Sequence, residues 1–171
     1  MLPDPAQSLE QPPHPPISAH MAHWAETRPD HPAIAWRDQS RSYARLFGDA
    51  RQIAQAIQAA GIGKGQVVAV AGQRRYGTIA AMLGVFLSGG VLLTLASDLP
   101  PERQRVMLRE ADARLLVAVG SRGEGLAFPH AILRVEPESA QVEPQASTPG
   151  PLPPLTGDDP AYLFFTSGTT G

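Results

Sequence analysis

The sequence predicts an α/β fold with a mostly parallel, buried sheet flanked by helices, and three observations carry that expectation. Short runs of continuous apolar character recur at Val67–Ala71, Val91–Leu95 and Leu115–Val119, and strands without polar alternation suit a parallel sheet covered on both faces. Segments between them repeat apolar residues at three- and four-residue steps, the helical period. Glycine and proline stand where one texture gives way to the next.

The chain has 171 residues, 43% of them apolar, which is about one domain's worth. A domain near this size removes roughly 70% of its extended-chain surface from water, so it needs no staple. With no cysteine, a disulfide scaffold, thiolate zinc, an iron–sulfur cluster and a cysteine nucleophile are all excluded. A net charge of −2 argues against a partner bound through its phosphate backbone, so no nucleic acid is expected. Thirteen of the fourteen basic residues are arginine, and the single lysine is Lys64.

In chain order, residues 18–28 read as a short helix closed by Arg28-Pro29, and Ala33–Trp36 as a strand. Ser42 is placed to cap a helix in which Tyr43, Leu46, Phe47, Ala50, Ile53, Ala54, Ile57 and Ala60 form one apolar face, ended by Gly61 as a left-handed cap. The strand Val67–Ala71, a helix over Thr78–Ser88 and the strand Val91–Leu95 follow. Asp98, with Pro100 and Pro101 in the first turn, opens a helix whose inward face would be Leu99, Val106, Met107 and Ala111. Leu115–Val119 and Ile132–Val135 complete the predicted strands before the last motif.

Tyr76–Ser97 is 22 residues without a charge, long enough to span a hydrocarbon core of about 30 Å. A membrane helix is one reading, yet Gly89-Gly90 interrupts the run, its texture changes there, and no lysine cluster flanks it. A buried helix stopped by the glycine pair and followed by a buried strand accounts for all three features, so no membrane span is expected. Residues 1–16 hold six prolines and no signal-like apolar stretch, which reads as a disordered leader on a cytoplasmic protein. Residues 136–160 hold seven prolines and read as a connector packed over a face of one domain spanning 17–171.

His14, His20, His23 and His31 cluster near the N-terminus, but without an acidic or thiol ligand at a recognised spacing they read as surface residues, and no metal site is expected. Gly61-x-Gly63-x-Gly65 precedes a strand, whereas a dinucleotide fingerprint follows one. Lys64, in that turn, reads as a solvated residue. Arg74 and Arg75 follow a predicted strand at the carboxyl edge where α/β sheets bind ligands, and they read as a solvated loop or as neighbours of a nucleotide or acyl site.

The chemistry concentrates in the last eleven residues, Ala161-Tyr-Leu-Phe-Phe-Thr-Ser-Gly-Thr-Thr-Gly171. An expected strand, Tyr162–Phe165, leads into Thr166, Ser167, Gly168, Thr169, Thr170 and Gly171. The glycines free backbone N–H groups to curl around an anion, and the four hydroxyls add donors that can follow phosphate oxygens. A Walker A loop is excluded, because GxxxxGK[ST] is absent.

This hexapeptide after an aromatic strand closely resembles the phosphate loop of the adenylate-forming superfamily: acyl-CoA synthetases, luciferases and the adenylation domains of nonribosomal peptide synthetases. Ser42-Tyr-Ala-Arg-Leu46, with Gly61-Ile-Gly-Lys-Gly-Gln-Val-Val-Ala-Val70 after it, resembles the family's first block and the turn and strand that follow. Ser88-Gly-Gly-Val-Leu-Leu-Thr-Leu-Ala-Ser-Asp-Leu-Pro-Pro-Glu-Arg103 resembles its second. Two departures stand out: Leu92, Thr94, Leu95 and Ala96 occupy places where adenylation domains have Tyr-x-Pro-Leu-Asp, and Phe165 replaces a common tyrosine.

The resemblance implies the N-terminal part of the adenylate-forming large domain. The implied reaction joins a small carboxylic or amino acid to ATP with Mg2+, giving an acyl-adenylate and pyrophosphate. Transfer to coenzyme A or to the phosphopantetheine of a carrier-protein domain would follow. Thr166, Ser167, Thr169 and Thr170 would bind the ATP phosphates through hydroxyls, and Gly168 and Gly171 through backbone N–H groups. The family's Pro-Lys continuation, its adenine- and ribose-binding segments, its acyl pocket and its C-terminal catalytic lysine have no counterpart in the 171 residues. The expectation is a truncated ligase without a catalytic residue of its own and inactive alone; the alternative is a non-catalytic nucleotide-binding or interaction module. Leu99-Pro-Pro-Glu-Arg103 and Ala111-Asp-Ala-Arg-Leu-Leu-Val117 lean toward a peptide-synthetase adenylation domain.

Overall fold

The three central apolar runs do pair as parallel strands, and their neighbours cover both faces. The computed structural model describes residues 14–96, 98–123, 126–143 and 150–165. Within them α1 (Ile17–Thr27) precedes a hairpin of β1 (Pro32–Trp36) and β2 (Gln39–Ser42), then α2 (Tyr43–Ala59), β3 (Val67–Ala71), α3 (Tyr76–Ser88), β4 (Val91–Leu95), α4 (Pro101–Glu110), β5 (Leu115–Val119) and β6 (Ile132–Val135). The larger sheet has the order β4-β3-β5-β6 and is parallel throughout.

Helix boundaries follow local chemistry. The Ser42 hydroxyl accepts from the Arg45 N–H at 3.4 Å at the start of α2, and Gly61, just past its end, takes φ +84°. Gly89 closes α3 in the left-handed conformation at φ +77°, where a side chain would be strained. The 22-residue uncharged run thus divides into a 13-residue helix and a five-residue strand. No helix among the described residues is long and apolar enough to cross a membrane.

The core has two layers. Val68, Val70, Leu92, Leu115, Val117, Leu133 and Val135 face α3, with Ile53 and Ile57 of α2 behind it. The alternate residues Ala69, Ala71, Leu93, Leu95 and Leu116 face α4 through Met107, Leu108 and Ala111. Leu108 joins the inward face predicted for α4, while Leu99 and Val106 are half-buried. From β3 the chain passes over one face by α3 to β4, then returns over the other face by α4 to β5. The strand order therefore reverses at β3, the switch-point topology of doubly wound sheets.

Two expectations need correction. The hairpin strand β2 was not foreseen: Gln39–Ser42 is polar, and Arg37 turns the chain at φ +50°. Tyr162–Phe165 is not a strand; it touches the sheet through one parallel bridge, Leu92 to Tyr162. The Leu92 N–H donates to the Ala161 carbonyl at 2.8 Å and the Leu163 N–H donates to the Leu92 carbonyl at 3.0 Å. Pairing needs a partner of matching length, and the neighbouring backbone meets β4 at this point only.

Candidate functional site

In an open α/β sheet, ligands sit outside the carboxyl ends of the strands. Here that edge is formed by Gly72–Arg75 after β3, Ala96 and Asp98 after β4, and Gly120 onward after β5. Beside β3 and β5, residues 136–138 cross this edge and leave a cavity of about 350 Å³ lined by Gln73, Arg75, Gly120 and Arg122. Gly77 N–H donates to the Pro137 carbonyl at 2.7 Å, Gly120 N–H to the Val135 carbonyl at 3.0 Å, and Arg75 pairs with Glu138 at 3.3 Å. On the other side of β3, toward β4, lies an open cavity of about 770 Å³ between the β1 hairpin and the start of α3. Ile34, Trp36, Ile79 and Met82 give it apolar walls, and Arg74, Arg75 and Asp98 stand at its rim.

One wall is held by a buried polar network that the sequence did not reveal. Trp36 stacks on Tyr76 with ring centroids 6.1 Å apart and planes 13° apart. The Arg41 guanidinium lies over both rings, at 5.1 and 5.3 Å, a cation–π arrangement. The Tyr76 hydroxyl donates to Asp49 Oδ2 at 2.6 Å, and the Arg45 Nε donates to the same oxygen at 2.7 Å. Asp49 is only 6% exposed, and a buried carboxylate needs such partners. Burial first, and then the bond to Asp49, push the Tyr76 phenol above its ordinary range. The one available signal was an acidic residue inside the apolar stripe of α2.

Arg74 and Arg75 do stand at the carboxyl edge. Arg75 is committed to Glu138, and among the described residues no ion pair involves Arg74. Lys64 departs from expectation. It is not simply solvated: its Nζ lies 2.8 Å from Asp159 Oδ2 and donates to the Pro154 carbonyl at 3.2 Å. Hydrogen bonds from Lys64, and then from the Thr156 backbone, hold the Asp159 carboxyl below the usual range. His14, His20, His23 and His31 are exposed, and the described residues contain no group of three or more metal-ligating side chains.

Thr166, Ser167, Gly168, Thr169, Thr170 and Gly171 lie outside the described residues, as does most of the expected leader, 1–13. What is placed is the approach to the hexapeptide. Ala161–Phe165 runs parallel to β4 beside Leu92, so the chain travels toward the carboxyl edge as it reaches position 166. Side chains alternate along it: Leu163 and Phe165 pack on the α4 side, while Tyr162 meets Phe86 of α3 at 4.9 Å.

Known proteins share both the sequence and the fold. Surfactin synthase subunit 3 of Bacillus subtilis is 32% identical over 169 residues, covering 92% of this chain and 13% of its own length. This chain spans between 3% and 13% of such curated relatives. PA1221, an NRPS protein containing adenylation and PCP domains, superposes with a TM-score of 0.78 at 25% identity, over 92% of this chain and 31% of its own. The N-terminal subdomain of Klebsiella oxytoca NpsA shares the fold, with a TM-score of 0.76 at 23% identity over 92% of this chain and 40% of its own. The model of the AMP-binding enzyme family matches residues 21–171, taking in the parallel sheet, the approach segment and the hydroxyl-rich hexapeptide, and the chain belongs to that family.

Proposed function

We propose that these residues form the opening portion of the large domain of a peptide-synthetase adenylation domain. The parent enzyme joins a small carboxylic or amino acid to ATP, releases pyrophosphate, and passes the acyl group to the pantetheine thiol of a carrier protein. The observation that carries this reading is the path of Ala161–Phe165, which runs parallel to β4 toward the carboxyl edge, with a Thr/Ser/Gly hexapeptide next in sequence. Relatives that are peptide synthetases, and a neighbour that joins adenylation and PCP domains, favour a carrier-bound acceptor over free coenzyme A. A cytoplasmic location for the parent enzyme is consistent with its need for ATP.

The acid's carboxylate attacks the α-phosphorus in line, while fixed donors take up charge on the departing pyrophosphate. Thr166, Ser167, Thr169 and Thr170 supply hydroxyl donors, and Gly168 and Gly171 supply N–H groups. Magnesium enters as MgATP, part of the substrate.

Acid-dependent exchange of pyrophosphate into ATP tests the reading. The parent enzyme supports exchange, and Thr169→Ala with Thr170→Ala raises its KM for MgATP about tenfold or more, as expected when charge-stabilising donors are removed, with the KM for the acid unchanged. The 171-residue chain alone, corresponding to 40% of the NpsA subdomain, gives no exchange. Nucleotide binding by the parent without exchange for any acid would mark it as a non-catalytic nucleotide-binding module.

A further inference from the structure

Lys64 sits in the turn between α2 and β3, at the amino ends of the strands and far along the chain from the hexapeptide. Two glycine turns and one strap of chain meet there. The Gly65 N–H donates to the Gly89 carbonyl at 2.8 Å, joining the turn before β3 to the turn before β4. Residues 150–160 cross over both. Gln58 Nε2 donates to the Pro151 carbonyl at 3.2 Å. Pro153 and Leu155 press so closely on Gly89 that a Cβ there would lie 3.2 and 3.1 Å from their side chains, and 3.2 Å from Lys64 Cγ. Lys64 Nζ then reaches the Pro154 carbonyl and the Asp159 carboxylate together, and that carboxylate also accepts the Thr156 N–H at 2.7 Å.

We propose that Lys64 is a positioning residue for phosphate binding, clasping the strap at Pro154 and Asp159 and so setting the register in which Ala161–Phe165 runs along β4 toward the hexapeptide. The inference rests on the adenylating reading above. Register needs setting because, among the described residues, the segment's backbone pairs with β4 through Leu92 only. A slip of one residue would exchange its two faces, turning Leu163 and Phe165 away from α4. Displacement of a phosphate-binding group by about 1 Å is enough to cost a large factor in rate or affinity. Lysine suits this role because an ammonium with three rotatable donors can serve a carbonyl and a carboxylate that diverge, where arginine's planar fork prefers a single coplanar partner. It is also the only lysine in a chain with thirteen arginines.

The pair's side chains are 41% and 25% exposed, and such pairs contribute little to global stability. Positioning and folding are therefore separable by experiment. In the full-length enzyme, Lys64→Met and Asp159→Asn are each compared with Lys64→Arg and with the exchanged pair Lys64→Asp/Asp159→Lys. Deuterium uptake by peptides covering 150–165 reports on the strap, and pyrophosphate exchange gives KM for MgATP and for the acid separately. Lys64→Met is expected to speed uptake and to raise the KM for MgATP about tenfold, an effect of the size that misplacing a binding group produces. The KM for the acid should stay within about twofold and Tm within about 3 °C. The exchanged pair restores the attraction but not the bonds at the Pro154 carbonyl and the Thr156 N–H, so it should recover only part of the loss. Unchanged uptake with unchanged KM overturns the proposal. So does a parallel fall of kcat, both affinities and Tm, which would make Lys64 a general stability residue. Faster uptake in the variant of a protein whose wild type makes no adenylate supports the clasp and overturns the adenylating reading instead.

Discussion

Asp49 and Tyr76 are where a single side chain decides most. The Tyr76 hydroxyl is one of two donors to a buried carboxylate oxygen, and its ring packs against both Trp36 and Arg41. Tyr76→Phe keeps the ring stack but leaves Asp49 with Arg45 alone. The expected loss is about 1–2 kcal/mol of unfolding free energy in urea titration, because a buried acceptor goes short of a partner. Asp49→Ala strands the Tyr76 hydroxyl and frees Arg45, and should cost about 2–3 kcal/mol. The Tyr76 phenol is raised by burial and by its bond to Asp49, which fixes the sign of a pH effect. A group whose folded pKa lies above its unfolded value contributes fully below the unfolded value, near pH 10 for tyrosine, and loses that contribution as pH climbs through the folded one. The urea midpoint of the wild type should thus fall more steeply above about pH 10 than that of Tyr76→Phe. Equal slopes would show that Tyr76 does not carry the effect.

Among the elements, α2 and α3 approach closely at Gly84. A Cβ on Gly84 would lie 2.8 Å from Ile53 Cγ2 and 3.1 Å from the Ala50 carbonyl oxygen, and Ile53 is fully buried with nowhere to swing. Gly84→Ala should gain about 1 kcal/mol of helix propensity, yet overpacking a closed interface costs about 1–3 kcal/mol. The net expectation is destabilisation, read as a lower thermal midpoint. At the other end of α2, Ser42→Ala removes the capping acceptor and should cost about 1 kcal/mol. Elements of this kind were legible because their causes are local: an apolar period, a capping hydroxyl, a glycine after the last turn. The edge hairpin was not, since Gln-Ser-Arg-Ser carries no apolar alternation and its pairing with β1 is decided by the Arg37 turn. The aromatic run Tyr162–Phe165 erred in the opposite direction, having strand composition but, among the described residues, backbone pairing with β4 at Leu92 alone.

On the scale of the whole molecule, one surface stands out. Phe164 is 71% exposed and Tyr162 43%; their rings stack at 5.2 Å and continue into Phe86. An aromatic ladder open to water promotes association. Phe164→Glu in the 171-residue chain should reduce concentration-dependent assembly in sedimentation, without lowering the thermal midpoint. Undiminished assembly would place the sticky surface elsewhere. The parallel sheet and its double covering were visible in the sequence because continuous apolar strands can be buried in few other ways. The hydroxyl- and glycine-rich hexapeptide was visible as a composition. Invisible were the contacts that organise its approach: Lys64 and Pro154 lie ninety residues apart, and the fold brings them together where the Gly65 and Gly89 turns meet.

The single-point attachment of Ala161–Phe165 also has a kinetic meaning. The pairing of β3 with β4 closes a short loop through α3, whereas Leu92 must wait for a residue far down the chain, across α4, β5 and β6, before it gains its second neighbour. Contacts of such long sequence separation form late in folding, and an attachment held by two hydrogen bonds is among the first to open in the native state. The approach to the hexapeptide is thus expected to assemble after the central sheet and to open before it.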